Sequence, residues 1–557
     1  MAGKNKEAEL VFCPLGGVGE IGMNFALYGF GPPGKREWII VDCGVTFPDA
    51  TLPGVDLVLP DIRFIEEEIE NLHGIVITHA HEDHYGALLA LWPRLKVETW
   101  MTPFTAGLLE AKRQSERGSP DVPVNIYHAG ETFEVGPFKV EAVAVTHSIP
   151  EPVSLAITSP LGTFIHTGDW KIDPEPEIGP LTNEARFKAL GDAGVLALMC
   201  DSTNAMRDGE SPSEEEVGRS LRKVIEAAEG RVAITTFSSN VGRIRSIAEA
   251  ARDAGRKVLV LGRSLKRVID VAGELGYLDG LPPFVSEEDY GYIPREEMAI
   301  ICTGSQGESR AALAKLAREE MRDLALSAGD TVIYSSRVIP GNEKAILAVK
   351  NALIEMGIRV IEDHDALVHV SGHPRRNELK RMYEWTRPNI VVPVHGEAAH
   401  LVAQGSLAAT SGVPNVAQVR NGDMLRLAPG APEIIDQVPF GRVYKDGHLI
   451  GSEEAMGVRE RRKLSYAGHV SVNVILDDRY ELADEPDLVA IGIAKADESG
   501  VDLEDLMIEA AESAVNSIPR ARRKDLDLVA EAVRRAVRNA SEDAWGKKPI
   551  ATVFVTR

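Results

Sequence analysis

The sequence predicts an α/β protein of about three domains, and three observations carry that expectation. Residues 10–205 run as short apolar strands punctuated by Gly and Pro. From Ser213 strands alternate with helical stretches. A small mixed unit follows residue 465. A length of 557 residues fits such a count, at about 150 residues per domain.

In the first stretch, apolar or alternating runs stand at Trp38–Val41, Gly74–Thr78, Phe138–Val145, Val153–Thr158, Thr163–Thr167 and Val195–Cys200. Ser213-Glu214-Glu215-Glu216 is a capping box that opens a helix to about Glu229. Strands at 232–237, 257–262, 299–303 and 330–336 then alternate with helices, which predicts a parallel sheet covered on both faces. Strand-like segments return at 366–372 and 389–396. Residues 440–465 read as a charged, irregular connector holding Arg459-Glu460-Arg461-Arg462-Lys463. The last unit has strands near 469–476, 487–494 and 549–556, with helices near 503–515 and 523–540. The domains are therefore expected at 1–205, 206–365, 366–440 (completing the first) and 466–557, with a linker at 441–465.

Composition excludes several classes. No apolar stretch approaches the roughly 18 residues of a membrane span, and the N-terminus lacks the apolar run of a secretory leader. Cys13, Cys43, Cys200 and Cys302 are far apart and without CxxC spacing, so they read as reduced thiols of a cytoplasmic protein. A net charge of −23 argues mildly against a polyanionic substrate. A metal-lined cleft can nevertheless be positive inside an acidic protein. Arg375, Arg376, Lys380, Arg381 and Arg387 form a local basic cluster, which ordinarily would be a solvated helix face.

The densest chemistry is His79-x-His81-x-Asp83-His84, directly after the strand 74–78 and before the helical run Tyr85–Trp92. Three of only 14 histidines fall in six residues, which points to a metal site. Imidazole with carboxylate suits zinc or a similar divalent cation. Crowding favours two ions, one on His79 and His81, the other on Asp83 and His84. Three further residues end apolar strands and supply the missing ligands: His147 for the first ion, His395 for the second, Asp169 as the bridge. Asp42, after the strand EWIIV, is placed to accept the other N–H of a ligating imidazole and fix its tautomer. His73, His128, His448 and His469 lack such company and read as ordinary histidines.

These residues resemble the metallo-β-lactamase fold in its β-CASP nuclease branch. DCG-x-x-FPD (42–49), HTGDWKID (166–173), DSTNA (201–205), FSSN (237–240), TGSQGE (303–308), HVSGH (369–373) and PVHGE (393–397) are similar, more narrowly, to the bacterial ribonuclease J family. The likeness spans nearly the whole chain. Ala80 stands where that pattern has glycine, and Gly242 where a histidine is common; neither is a ligand position. The resemblance implies a metallo-β-lactamase αββα sandwich, an inserted doubly wound α/β β-CASP domain and a C-terminal α/β domain; that last domain carries no convincing catalytic residue and is expected to mediate self-association.

It also implies a zinc-dependent ribonuclease of RNA maturation and decay, acting 5′-to-3′ and internally by two-metal hydroxide attack on the phosphodiester. Two Zn²⁺ per chain are expected, with Mn²⁺ or Mg²⁺ as alternatives. Asp201 and His373 are expected to deliver a proton to the leaving oxygen. A 5′-monophosphate of single-stranded RNA would sit against His369, Val370, Ser371, Gly372 and His373, closed over by Phe237, Ser238 and Ser239. The expected assembly is a homodimer or homotetramer, within an RNA-decay complex and without membrane contact. The competing readings are a small-molecule metallo-hydrolase and a non-catalytic RNA-binding scaffold. The inserted domain and the HVSGH and TGSQGE motifs weigh against the first, the full set of seven ligands against the second.

Overall fold

A computed structural model describes residues 7–557. The chain divides into two compact units: residues up to Thr46 with Leu59–Arg442, and Phe47–Val58 with Val443–Arg557.

The first unit is built on two facing sheets. One has eight strands in the order Glu433–Gln437, Asp423–Ala428, Glu9–Gly16, Phe25–Gly31, Glu37–Val41, Leu72–Val76, Glu98–Met101 and Val124–Ile126. The other has seven: Asn415–Val416, Ile390–Val394, Val195–Asp201, Gly162–His166, Val153–Ser159, Phe138–Ala144 and Thr132–Val135. Alternation along each strand sends one set of side chains inward. Phe12, Tyr28, Ile39 and Val41 thereby meet Val140, Leu155, Phe164 and Met199 in one buried core. The helices Glu184–Ala193, Arg376–Thr386 and Ala398–Thr410 cover the far face of the second sheet through Phe187, Leu190, Met382, Trp385 and Leu407.

Direction positions the site. Val195–Asp201 runs parallel to both Gly162–His166 and Ile390–Val394. Phe138–Ala144 shares that direction through two antiparallel pairings. In the other sheet Glu37–Val41 is parallel to Leu72–Val76. The carboxyl ends of one sheet's ligand-bearing strands therefore share an edge, where crevices of α/β proteins take ligands.

The inserted sheet is parallel throughout, in the order Lys257–Leu261, Met298–Cys302, Val232–Thr236, Thr331–Ser335 and Arg359–Ile361. Its two faces bury separate clusters, one with the helices Glu214–Glu226 and Val241–Asp253, the other with Ala312–Ala317 and Glu343–Glu355. Ser213 caps the first of these helices in a full capping box, as the sequence predicts.

The second unit has His469–Ile475 between an antiparallel Asp487–Ile491 and a parallel Ile550–Thr556. Val470, Val472 and Val474 pack on Met507 and Val515 of the helix Leu503–Ser517 and on Val529, Val533 and Val537 of Leu526–Trp545. No described helix is long and apolar enough to cross a membrane.

Three expectations are corrected. Residues 366–372 form no strand: Val368 and Val370 are buried, but the Val368 carbonyl accepts from Arg243 Nη1 (3.0 Å) and Ser335 Oγ (2.6 Å) in place of a ladder partner. The segment 441–465 is ordered, not an irregular connector. It carries Arg442–Asp446 and Leu449–Gly451, closed by a two-residue turn with Gly447 at φ 57°, then the helix Val458–Ala467. Residues 47–58 leave the N-terminal domain for the second unit, where Asp56 N donates to Lys445 O (2.9 Å) and Asp56 Oδ2 accepts from Gly447 N (2.8 Å).

Candidate metal centre

The ligand turn forms where the strand Leu72–Val76 gives way to a short helix, Glu82–Tyr85, that starts three residues before the expected helical run. Asp83 and His84 lie in that helix, while His79 and His81 precede it. One ligand, His395 at φ 51°, and the residue that orients His84, Asp42 at φ 64°, sit on left-handed backbone. Such conformations are strained for residues other than glycine and gather at functional sites.

Three overlapping donor groups result, all sharing Asp169; the third, Asp169, Asp201, His373 and His395, includes the Asp201–His373 pair beside the two ligand groups. His79, His81, His147 and Asp169 have ligand atoms within 4.8 Å of one another, and so do Asp83, His84, Asp169 and His395. Asp169 Oδ2 faces His79 Nε2 at 3.7 Å and His147 Nε2 at 3.6 Å. Its Oδ1 faces His84 Nε2 at 3.3 Å and His395 Nε2 at 3.6 Å. Asp83 Oδ2 completes the second group, 3.7 Å from His84 and 3.8 Å from His395. All seven residues expected as ligands are brought together.

Every imidazole is held from outside by its other nitrogen. His84 Nδ1 lies 2.7 Å from Asp42 Oδ2, and Asp42 Oδ1 also accepts from the Thr78 amide and hydroxyl. His79 Nδ1 meets Thr78 Oγ1 (3.0 Å), His147 Nδ1 meets Gly372 O (2.7 Å), and His395 Nδ1 meets Asn24 Oδ1 (2.9 Å). His81 is reversed: its Nε2 meets Ser239 Oγ of the inserted domain (3.1 Å) and its Nδ1 faces the cluster. These contacts fix each ring so that one nitrogen lone pair turns inward. Asn24 carried no motif in the sequence; only the glycine-rich turn before it hinted at a constrained position.

The donor set fits divalent cations. His81 Nδ1 lies 3.1 Å from both His79 Nε2 and His147 Nε2. Tetrahedral zinc with bonds of about 2.0–2.1 Å requires nitrogens roughly 3.3 Å apart. Asp169 Oδ1 is buried with no hydrogen-bond partner, an acceptor that an ion would satisfy.

Protonation follows burial and charge. Burial, then His84, holds His79 well below the ordinary imidazole range, and burial, then His81, does the same to His147. Burial takes His81 down to about 4. At His84 burial is outweighed by Asp169, Asp42 and Asp83, which hold it well above that range. Burial opposes ionisation of Asp169, yet His395 and His84 draw it well below its ordinary value. A cation would take over the role of the His84 proton, since metal binding releases protons.

Beside the ligands, His373 Nδ1 lies 2.7 Å from Asp201 Oδ2. Burial disfavours its charge, but Asp201 and Asp169 outweigh burial and hold the imidazole up at about 9. Asp201 itself is buried at the end of its strand. The pair can offer a proton at neutral pH.

The remaining expected contacts are mixed. Ser238 bonds Ser264 (2.8 Å), and Phe237 is half-buried with its ring 6.4 Å from that of His369. Burial, then Arg243, pushes His369 down to about 3, and its Nδ1 has no partner. Ser371 Oγ accepts from Asn204 Nδ2 (3.0 Å). Val370 is a correction: its side chain packs into the core of the inserted domain, leaving only its backbone for a ligand. Gly372 has a steric reason, because a Cβ there would come within 2.5 Å of His147 Nδ1.

Family comparisons align with these features. Residues 37–196 match a beta-lactamase superfamily domain, and residues 229–353 match the ribonuclease J beta-CASP domain. Residues 341–418 match a Zn-dependent metallo-hydrolase RNA specificity domain, and residues 456–557 the ribonuclease J C-terminal domain. The chain is 62% identical over 552 residues to ribonuclease J of Sinorhizobium meliloti, covering 99% of this chain and 98% of that one. It is 36% identical to ribonuclease J of Corynebacterium glutamicum (96% and 74% covered) and 36% identical to ribonuclease J 1 of Streptococcus pyogenes (96% and 94%). A solved protein of unknown function from Enterococcus faecalis shares the fold at 15% identity and a TM-score of 0.51, over 75% of this chain and all of that one.

Proposed function

The chain belongs to the ribonuclease J family and is a metal-dependent nuclease acting on RNA, and from that premise we propose a two-zinc enzyme that cleaves both 5′-to-3′ and internally. The supporting observation is Asp169, whose two oxygens face two separate imidazole groups. In this reading His79, His81 and His147 hold one cation, Asp83, His84 and His395 the other, and Asp169 bridges them. Zinc is the proposed occupant, with manganese or magnesium as substitutes. A bound pair of such ions supplies Lewis-acid stabilisation of phosphoryl charge and a more acidic water.

The chain's own side chains do the rest. Asp42, Thr78, Asn24, Gly372 and Ser239 keep five imidazoles aligned without reorganisation. His373, kept protonated by Asp201, delivers its proton to the leaving oxygen, and Asp201 stabilises the imidazolium beforehand. The 5′-monophosphate is proposed to rest against Ser371 and His369, with Ser238 and Ser239 opposite and Phe237 stacking on the first base. The enzyme would work in the cytoplasm as a homodimer or homotetramer, within an RNA-decay assembly.

Digestion of end-labelled RNA carrying a 5′-mono- or triphosphate tests this reading. Mononucleotide release from the monophosphorylated end, slower attack on the triphosphate and full inhibition by chelator are expected. Cleavage that ignores chelator, or no cleavage, would refute it.

A further inference from the structure

The basic residues at 375–387 do not form one free patch. Arg376 pairs with Asp208 at 3.1 Å, Arg381 with Glu210, and Arg387 with Asp192. Arg375 is different: among the described residues it has no ion pair, and its Nε is buried without a hydrogen-bond partner. Two more arginines beside it likewise have no ion pair among the described residues. Arg207 is exposed just after the DSTNA segment, and its carbonyl accepts from Arg376 N (3.0 Å), which ties it beside Arg375. Arg337 comes from the inserted domain, after the strand Thr331–Ser335.

Asn204 joins this group to the site. Its Oδ1 accepts from Arg337 Nη1 (2.8 Å), while its Nδ2 donates to Ser371 Oγ (3.0 Å) and to the His373 carbonyl (3.1 Å). Arg337 is half-buried, and burial followed by the like charges of Arg207 and Arg375 holds it below its ordinary value; Asp363 offsets this only in part. Asn204 and the Arg207 carbonyl thus bring three guanidinium groups together with no carboxylate paired to them, an arrangement that an anion would complete. The planar fork of arginine has five donors and matches phosphate in a bidentate manner. Among the described residues only one Arg337 donor is spent.

We propose that Arg207, Arg337 and Arg375 form a seat for a backbone phosphate of the RNA strand other than the one being cleaved. The inference rests on the RNA-cleaving reading above and adds a specific anchor to it. It also resolves how so acidic a chain holds a polyanion: the positive field is local.

The test compares steady-state cleavage of a 5′-monophosphorylated oligoribonucleotide by the full-length wild type, Arg337→Gln, Arg337→Lys and Arg207→Gln. Arg337→Gln should raise KM about tenfold, as expected for a lost charge-assisted hydrogen bond, with a smaller change in kcat. The slope of log(kcat/KM) against log salt should become shallower by about 0.7, the single-strand value for one phosphate contact. Arg337→Lys should restore the slope but only part of KM. Arg207→Gln, at an exposed position where folding is not at stake, should show the same loss of slope. An oligonucleotide with one neutral methylphosphonate should be discriminated against by the wild type at a single linkage position, and no longer at that position by Arg337→Gln. Unchanged KM and salt slope in both glutamine variants, with normal wild-type cleavage, would overturn the seat alone. A wild type that cleaves no RNA would overturn both readings.

Discussion

Asp169 and Lys171 stand two residues apart and serve opposite kinds of buried charge. Around Asp169, imidazole nitrogens approach at 3.3–3.7 Å, and one carboxylate oxygen has no hydrogen bond. Among the described residues no lysine or arginine pairs with it. Lys171 instead lies 2.7 Å from Asp173 and 3.8 Å from Glu214, and Glu214 is bound at 2.6 Å by the fully buried Arg243. This second group balances its own charges and joins the sandwich to the inserted domain. The first has only imidazoles, and no lysine or arginine, to set against its carboxylates. A buried charge that finds its partner inside the protein holds structure together; one that does not marks a place for a ligand. The half-buried Arg337, bonded to Asn204 and to no carboxylate among the described residues, follows the same rule with the sign reversed.

Substitutions on either side should separate these roles. The largest effect is expected at the unbalanced group: Asp83→Ala should reduce RNA cleavage to background with little change in circular dichroism, and metal analysis should show a lost ion. His373→Ala should slow cleavage by about 10²–10⁴-fold, the usual worth of general acid catalysis, with metal content intact. Equal metal loss in both variants would show that His373 is a ligand. At the balanced group, Arg243→Met should lower unfolding free energy by about 3 kcal/mol by leaving the buried Glu214 with only the more distant Lys171. Denaturant unfolding measures this, and Arg243→Met with Glu214→Leu should recover part of the loss. The smallest effect is expected at Asn24→Ala, a roughly 10–100-fold weaker metal affinity from a freed His395 ring, read by competition with a chromophoric chelator.

The ligands were legible in the sequence because each follows an apolar strand, and the parallel ladders then force their convergence. The groups that orient them were not. Asn24 is 371 residues from His395, Gly372 is 225 from His147, and Ser239 is 158 from His81. No local pattern encodes such pairings. Residues 366–372 alternate like a strand, but Arg243 and Ser335 take the carbonyl that a neighbouring strand would need. The hairpin at 442–451 hid behind its charged residues, although Asp446-Gly447 is a turn signal. The basic cluster misled because charge along a helix says nothing of the acids facing it: Asp208, Glu210 and Asp192 come from other segments.

Metal content of the purified full-length chain, measured beside RNA cleavage for the wild type and Asp169→Asn, tests the central claim most directly. Two divalent ions per wild-type chain, and loss of at least one together with activity in the variant, are predicted. Full cleavage by protein carrying no ion, or two ions retained in an inactive Asp169→Asn, would contradict it.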